Sequence, residues 1–318
     1  PYLSRGLGDV YKRQVYPYKY PGFVEELRYS LRSLQAHVAD LGEVWIIGER
    51  PKGLDPDSYR FIPHPSAPRR SPAWLKEPWP DLARLRAKER NINAKIAIAA
   101  SHDEISEEFL FINDDHYILQ PLTAAQLRQT WTRGDAADPY YADQLREHYK
   151  GAPYRRIISD TLAELQRRGL PMRDHEAHVP VVLQKTHCRA VLERFQAGGE
   201  MFHWTFLSLY FNTLPAGAPP KMVWLSHALK EKRAPNAPTH KLEVRGRHSR
   251  FWIDAQITDD TRYLNHNWSG LKRHYIDVLQ VRFPRVSRFE RTLADDLSPQ
   301  PEPPVFDTTV HMLSLIHI

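Results

Sequence analysis

The sequence predicts an α/β protein with a mostly parallel central sheet. Three observations point to this class: short apolar runs alternate with amphipathic helical segments, one apolar run ends abruptly at two adjacent aspartates, and no run of 18 or more apolar residues occurs. Hydrophobic residues make up 42% of the 318 positions and charged residues 26%, values typical of a soluble globular protein. No transmembrane segment is therefore expected.

The alternation is clearest in the first third of the chain. We expect a strand ending at Val15-Tyr16, a helix over residues 22–39, strands over Glu43–Gly48 and Tyr59–Ile62, a helix over Leu82–Ala100 and a strand over Phe109–Ile112. Residues 63–80 contain six prolines, so they cannot form a regular element and predict a long loop. Helices between successive strands indicate a parallel, Rossmann-like sheet with this loop near its carboxyl edge.

The second half of the chain is less regular. We expect helices over Asp143–Lys150, Tyr154–Arg168, Cys188–Phe195, Phe202–Asn212 and Leu271–Phe283, and a strand over Val179–Leu183. The basic run Lys230–Arg250 is rich in Lys, Arg, His and Pro and predicts exposed loops. Neither common glycine-rich phosphate loop occurs, so phosphate binding would depend on metal, arginine and lysine.

Both ends of the chain look foreign to the fold. Residues 1–14 and Leu313–Ile318 resemble translated adapter sequence, and residues 299–304 contain four prolines. We therefore expect a non-native tail over 1–14, a single domain over 15–297, and a disordered or non-native tail over 298–318. The first 14 residues carry a net charge of +2, which leaves +4 of the total +6 for the rest.

The charge and the cysteine content restrict the setting of the protein. A positive net charge favours an anionic partner without choosing among nucleotide, glycan phosphate and membrane surface. Cys188 is the only cysteine, so an internal disulfide is excluded and a reducing compartment is indicated. We expect Cys188 to be a core residue and the protein to be cytoplasmic, with attachment to a membrane surface as an option.

The most informative stretch is Phe109–Leu119, in which an apolar run stops at Asn113-Asp114-Asp115. Ligands of open α/β sheets bind beyond the carboxyl ends of the strands. Two adjacent carboxylates there can hold a hard divalent cation and, through it, a diphosphate. An ordinary Asx-type turn is the alternative. Because neighbouring residues of an extended chain point to opposite sides, we favour Asp115 as metal ligand and Asp114 as partner of ribose or sugar.

Three basic side chains, Arg28, Arg32 and Lys95, are candidates for phosphate binding. Arg28 and Arg32 share one face of the first helix, and the Arg28 guanidinium could bind phosphate in a bidentate manner. A solvated ion pair with Glu25 is the alternative for Arg28. Lys95 lies in the helix that leads into the aspartate strand and could neutralise a phosphate; an ordinary surface lysine is the alternative.

Three segments, taken together and in order, resemble the Stealth family of sugar-1-phosphate transferases. The first, similar to the family's second conserved region, consists of Glu25–Ser33, Val44–Ile47 and Asn113-Asp114-Asp115. The second is Asp174–Pro180, which is similar to the His-x-Pro of the third conserved region. The last consists of Tyr263–Asn267 and Arg282–Glu290 and is similar to the fourth conserved region. The resemblance spans about residues 15–291.

The resemblance implies a nucleotide-diphosphosugar transferase (GT-A-like) fold, with a nucleotide-sugar-binding half over residues 15–130 and an acceptor-side half over 131–297. It implies an Mg²⁺ or Mn²⁺ cofactor and transfer of a sugar-1-phosphate from a nucleotide-diphosphosugar, preferentially a UDP-sugar, to a hydroxyl of a glycan or polysaccharide acceptor. The implied catalytic residues are Asp114, Asp115 and His178; the implied nucleotide-sugar-binding residues are Arg28, Lys95, Asn113, Asp114 and Asn265; and the implied metal ligands are Asp115 and His178.

The sequence departs from the family pattern at three places. The family's first conserved region, an Asp-rich strand segment, is absent or cut off at Val15. The sequence has Asn265-His266-Asn267 where the family usually shows Asn-Asp-Asn, and Met201–Trp204 lacks the arginine that usually follows His-x-Pro. A GT-A-type glycosyltransferase that releases UDP is therefore the main alternative. A non-catalytic glycan- or nucleic-acid-binding module is a third, but the basic run contains no recognised nucleic-acid-binding motif, so no specific nucleic acid partner is expected.

Overall fold

The structure, a computed structural model, describes residues 13–18, 24–39, 41–65, 80–147, 153–196, 201–215, 221–222, 241–244, 249–266 and 273–291. Its strands are β1 Arg13–Tyr18, β2 Glu43–Gly48, β3 Arg60–Pro63, β4 Glu108–Phe111, β5 His116–Ile118, β6 Trp131–Thr132, β7 Gly134–Asp135, β8 Arg173–Asp174, β9 Val181–Gln184, β10 Lys221–Met222, β11 Lys241–Val244 and β12 Tyr263–His266. Its helices are α1 Val24–His37, α2 Pro80–Ser101, α3 Ala124–Leu127, α4 Pro139–Glu147, α5 Pro153–Arg167, α6 Lys185–Phe195, α7 Phe206–Thr213, α8 Arg250–Gln256 and α9 Arg273–Arg282.

The main sheet has five strands in the order β3-β2-β1-β4-β9. The first four run parallel, and β9 is antiparallel to β4. The predicted α/β class with a mostly parallel sheet is therefore confirmed. The carboxyl ends of the three central strands lie at Tyr18, Gly48 and Phe111 and meet along one edge of the sheet.

Helices cover the main sheet because its strands are apolar on both faces, as parallel strands usually are. Val15, Ile46 and Phe109 are all but fully buried. The predicted apolar stripe of α1 is buried as well, with Leu31 and Leu34 at 0% exposure; Phe23, the first member of that stripe, lies outside the described residues. Cys188 of α6 is a buried core residue, as expected.

A second sheet of three strands stands beside the aspartate turn. Its order is β11-β12-β5, with β11 parallel and β5 antiparallel to β12. Ile118 and Tyr263 face the main core, whereas Tyr117 and Leu264 on the other face pack with α8 and α9. This alternation gives the small sheet two distinct faces, and one of them looks toward the candidate site.

Several sequence-based expectations need correction or lie outside what is described. Lys241–Val244, expected within exposed loops, is a buried strand, because β12 pairs with it and the Lys241 ammonium donates to the Ala177 carbonyl. α7 begins at Phe206 rather than Phe202. Most of the proline-rich loop and of the basic run, and the tail over 298–318, lie outside the described residues. In the ranges that are described, no helix is long and apolar enough to cross a bilayer.

The first strand begins inside the segment expected to be a foreign tail. Arg13 pairs in register with Glu43, and its Nε donates to the Glu104 carbonyl at 2.9 Å. Gln14 is fully buried and pairs in register with Leu110. Residues 1–12 lie outside the described part of the chain. The two last residues of the expected tail thus belong to β1.

Candidate functional site

The aspartate pair forms a tight turn at the carboxyl edge of the main sheet. β4 ends at Phe111, and the chain turns so that the His116 N–H donates to the Asn113 carbonyl at 3.2 Å. β5 then starts in the second sheet at His116. Asn113 therefore closes the turn, and Asp114 and Asp115 occupy its two central positions, where their side chains are only partly covered.

Asp114 belongs to the side of the turn that faces α2. Burial raises the pKa of Asp114 to about 7, and the neighbouring Asp115 carboxylate adds to the rise. The positive charges of Lys88 and Lys95, both on α2, act in the opposite direction. A carboxyl group whose pKa is raised toward neutral pH by burial and a like charge is typical of functional sites.

Lys95 reaches the same edge of the sheet from α2. Its side chain is 2% exposed, and its Nζ donates to the Tyr18 carbonyl at 2.8 Å. A Cβ placed on Gly48 would lie 3.0 Å from that Nζ. The ammonium group therefore sits where β1 and β2 end. The structure excludes the surface-lysine alternative and places a positive charge beside the aspartate turn.

His116 is a site residue that the sequence analysis missed. Its ring is 3% exposed, its Nε2 lies 3.7 Å from Asp115 Oδ1, and neither ring nitrogen has a hydrogen-bond partner. Burial lowers its pKa to about 3, although the Asp115 carboxylate favours the protonated ring. His116 follows the Asp-Asp pair directly, and that adjacency was the available signal in the sequence.

The ring of His178 lies close to that of His116. The two ring centroids are 6.2 Å apart and nearly perpendicular, and the Tyr154 ring lies 6.2 Å from His178 on another side. His178 has φ of +51°, a left-handed backbone conformation that is uncommon outside glycine and found at functional sites. Burial lowers its pKa to about 3, and the Lys241 ammonium adds to the decrease. The imidazole is therefore neutral at physiological pH.

The segment that carries His178 is anchored from two directions. Lys241 Nζ donates to the carbonyl of Ala177, the preceding residue, at 2.8 Å. On the other side, Tyr154 Oη donates to Glu176 Oε2 at 3.3 Å. Glu176 and Glu89 of α2 are both buried, and their mutual repulsion adds to the burial that raises the pKa of Glu176 to about 8. Two buried carboxyl groups therefore lie behind His178.

Asn265 lies beside His116 through strand pairing. The two residues are direct partners in the antiparallel pairing of β12 with β5. Asn265 is 3% exposed, and its Oδ1 has no hydrogen-bond partner. The structure thus brings Asn113, Asp114, Asp115, His178 and Asn265 to one region, together with Lys95.

Arg28 is the predicted site residue that the structure places elsewhere. Its Nη1 donates to both carboxylate oxygens of Glu25, at 2.9 and 3.1 Å, and its Nε lies 3.6 Å from Glu290 Oε2. It lines an open groove of about 560 Å³ between α1 and α9, together with Tyr29, Arg32, Ile276, Gln280 and Pro284. The described lining of that groove includes neither aspartate of the turn. The ion pair considered as the alternative from the sequence is present.

The side chains near the turn suit a hard divalent cation that is held partly by its substrate. Within the described ranges, no three His, Cys, Asp or Glu side chains are arranged to hold a metal ion. Mg²⁺ in phosphate-transferring sites is often bound by one or two carboxylates plus substrate phosphates. Asp115 can supply such a carboxylate, and the neutral ring of His178 or the unpartnered nitrogens of His116 can supply the nitrogen that Mn²⁺ accepts.

Comparison with known proteins gives no identification. No protein-family model matches the chain, and no curated protein is significantly similar to it. The fold and the site define an α/β protein with carboxylate and imidazole side chains gathered at the carboxyl edge of its main sheet.

Proposed function

We propose that the protein is a metal-dependent transferase that moves a sugar-1-phosphate from a nucleotide-diphosphosugar, preferentially a UDP-sugar, to a glycan hydroxyl. The observation that carries this proposal is the aspartate turn at the end of β4, with Lys95 on one side and two neutral imidazoles on the other. The family resemblance of three segments supports the same reaction. We further propose a cytoplasmic enzyme, with attachment to a membrane surface as an option, that acts on polysaccharide acceptors.

The charges around the turn suit a diphosphate. Lys95 carries a positive charge at the ends of β1 and β2, and Lys88 contributes another from the same helix. Asp115 and His178 would hold Mg²⁺ or Mn²⁺, and the bound cation would neutralise charge that develops on the phosphates. Arg28 would bind the diphosphate only if it exchanged its hydrogen bonds with Glu25 for bonds to a phosphate oxygen.

In this reaction the acceptor hydroxyl oxygen attacks the β-phosphorus and forms a new P–O bond. The bond from that phosphorus to the bridging oxygen breaks, and the nucleoside monophosphate leaves. The hydroxyl proton needs an acceptor, and the Asp114 carboxylate can take it, since burial raises the pKa of Asp114 to about 7, near the working pH. Asp114 and Asn113 would orient the ribose or the sugar at the turn.

A glycosyltransferase is the second candidate, since the same residues could hold the same donor. There the acceptor attacks the anomeric carbon, the glycosidic C–O bond breaks, and the nucleoside diphosphate leaves. The departures from the family pattern at Asn265-His266-Asn267 favour keeping this candidate. Identification of the released nucleotide, UMP or UDP, distinguishes the two reactions.

The experiment that tests the proposal is titration of UDP-N-acetylglucosamine and UDP-glucose, with Mg²⁺, Mn²⁺ or EDTA, against the wild type and Asp115→Asn. We expect metal-dependent binding by the wild type and its loss in Asp115→Asn. Asp103→Asn is the matched control, because Asp103 is exposed on the loop before β4. A folded Asp115→Asn variant with unchanged metal-dependent binding would contradict the assignment. Metal-independent glycan binding without turnover would instead indicate the non-catalytic module.

A further inference from the structure

Three polar side chains form a row across one face of the second sheet. His116 of β5 is the direct partner of Asn265 of β12, and Asn265 is the partner of Glu243 of β11. Residues paired in register project from the same face of a sheet. The row therefore lies on the face that Ile118 and Tyr263 share, which looks into the main core rather than toward α9.

The row is buried and incompletely hydrogen-bonded. His116 and Asn265 are each 3% exposed, and Glu243 is 9% exposed. Both ring nitrogens of His116 and the Asn265 Oδ1 have no hydrogen-bond partner. Buried polar atoms in native proteins are almost always paired, so these three atoms are candidates for partners supplied by a ligand.

The surroundings restrict what such a ligand can be. Lys241, two residues before Glu243 on the same face, lies 3.8 Å from its carboxylate and donates to the Ala177 carbonyl. The Glu243 carboxylate favours the protonated form of His178, and Asp115 lies next to His116. The row thus borders the aspartate turn and the neighbourhood of His178. An amide oxygen only accepts hydrogen bonds, so the unpartnered Asn265 Oδ1 requires a hydrogen-bond donor from the ligand.

We propose that the row His116–Asn265–Glu243 binds the hydroxyl groups of a sugar ring. Hydroxyls both donate and accept, so they can satisfy the Asn265 oxygen and either nitrogen of the His116 imidazole, with Glu243 as an additional acceptor beside them. The site extends the proposed function by placing the sugar on the small sheet, one residue from the aspartate turn, and it rests on that function for the presence of a sugar there. The sugar can come from the donor or from the acceptor.

The test compares Asn265→Leu and Glu243→Gln with the wild type in titrations of UDP-glucose and of UDP, and on an oligosaccharide array. His266→Gln is the control, because His266 follows Asn265 on β12 but projects from the opposite face, where its ring stacks against that of Tyr117. A donor-sugar site predicts an about tenfold weaker affinity for UDP-glucose in both variants with unchanged affinity for UDP. An acceptor site predicts unchanged UDP-glucose affinity and lost oligosaccharide binding.

Thermal unfolding without ligand supplies a second readout. Because Asn265→Leu removes an unpaired buried oxygen, we expect the ligand-free variant to melt at the same or a higher temperature while its sugar affinity falls. A third outcome is that the wild type binds oligosaccharides on the array but no nucleotide-sugar, and that both variants lose this binding. That result would support the sugar site and reject the transferase. Equal binding of UDP-glucose and of oligosaccharides by wild type and both variants would overturn the sugar site and leave the transferase standing. Absence of any sugar binding by the wild type would overturn both.

Discussion

Arg32 donates two hydrogen bonds to the carboxylate of Glu290, from Nε to Oε1 at 2.7 Å and from Nη2 to Oε2 at 2.6 Å. A third donor, Nη1, bonds the Phe283 carbonyl at 3.0 Å. Ser287 donates to the same Glu290 from its backbone and its hydroxyl. The segment after α9 is therefore fastened to α1, which gives the Ser and Glu of the C-terminal motif a structural role.

The two arginines of α1 should differ in what they contribute to stability. Arg32→Lys should lower the free energy of unfolding by about 1–3 kcal/mol, because an ammonium cannot reproduce the planar fork to a mostly buried carboxylate. Arg28→Lys is the matched control and should change it by less than about 1 kcal/mol, because its pair with Glu25 is about one-third exposed and its Nε, 3.6 Å from Glu290 Oε2, is beyond hydrogen-bond distance. Urea unfolding measures both, and equal losses would show that the Glu290 fork is not decisive.

Gly48 should tolerate no side chain at the end of β2. Its φ is +144°, and a Cβ there would lie 1.9 Å from the Tyr18 carbonyl oxygen that Lys95 contacts. Gly48→Ala should therefore lower the free energy of unfolding by about 2–4 kcal/mol and move Lys95. Gly169→Ala, at φ +67° but with nothing within 4 Å of its added Cβ, is the control for backbone strain alone. Similar losses of unfolding free energy in the two variants would show that the contact between the added Cβ and the Tyr18 carbonyl does not matter.

Two truncations of the N-terminus should distinguish residues that are foreign to the fold from residues that belong to β1. Removal of residues 1–12 should change the free energy of unfolding by less than about 0.5 kcal/mol if they are foreign to the fold. Removal of residues 1–14 should lower it by about 1–3 kcal/mol, because β1 loses Arg13 and the buried Gln14 with their pairing to neighbouring strands. Thermal and urea unfolding of both truncations check this. Identical stability after both deletions would exclude a role for these two residues in β1.

Glu89 should make the stability of the protein depend on pH. Burial raises the pKa of Glu89 from its ordinary value to about 7, so the folded state binds a proton more tightly than the unfolded state. The stabilisation by that proton is complete below the unfolded pKa of 4.5 and is lost as the pH rises to about 7. Glu89→Gln, which mimics the protonated group, should match wild type at pH 4 and exceed its free energy of unfolding by about 1–3 kcal/mol at pH 8.

The control for this pH effect is Glu193→Gln, since Glu193 is exposed on α6. Urea unfolding at pH 4, 6 and 8 measures the difference in free energy of unfolding between each variant and the wild type at each pH. A constant difference between Glu89→Gln and wild type over this range would show that Glu89 ionises as easily in the folded as in the unfolded state.

Local patterns in the sequence were sufficient for the main sheet. The strand Glu43–Gly48 was predicted with its observed limits, since its apolar run ends at a glycine. The structure needs a glycine there because the Tyr18 carbonyl oxygen lies where a Cβ would be. The end of β4 at the aspartates and the buried stripe of α1 were also predictable, because burial of one face or both imposes a short-range periodicity. Asn113, Asp114 and Asp115 followed from the same strand end.

Contacts between distant segments were not predictable in this way. Lys241 looked like a member of a solvated basic run, and only the pairing of β11 with β12 and the Ala177 carbonyl account for its burial. Arg28 and Arg32 share one helix face and the sequence favoured Arg28 for phosphate, whereas in the structure Glu290 takes Arg32 as its bidentate partner. His116 carried no pattern of its own, because its role depends on the rings and strands that surround it.

The sequence by itself therefore determined the strands of the main sheet, the helices between them and where β4 stops, because those features depend on neighbouring residues. The tertiary structure decided which polar groups lie together at the aspartate turn. It brought His178, Asn265 and Lys95 to the aspartate turn and lined up His116 with Asn265 and Glu243. The physical reason is that strand register and burial fix these neighbours across long stretches of chain, and no local periodicity encodes them.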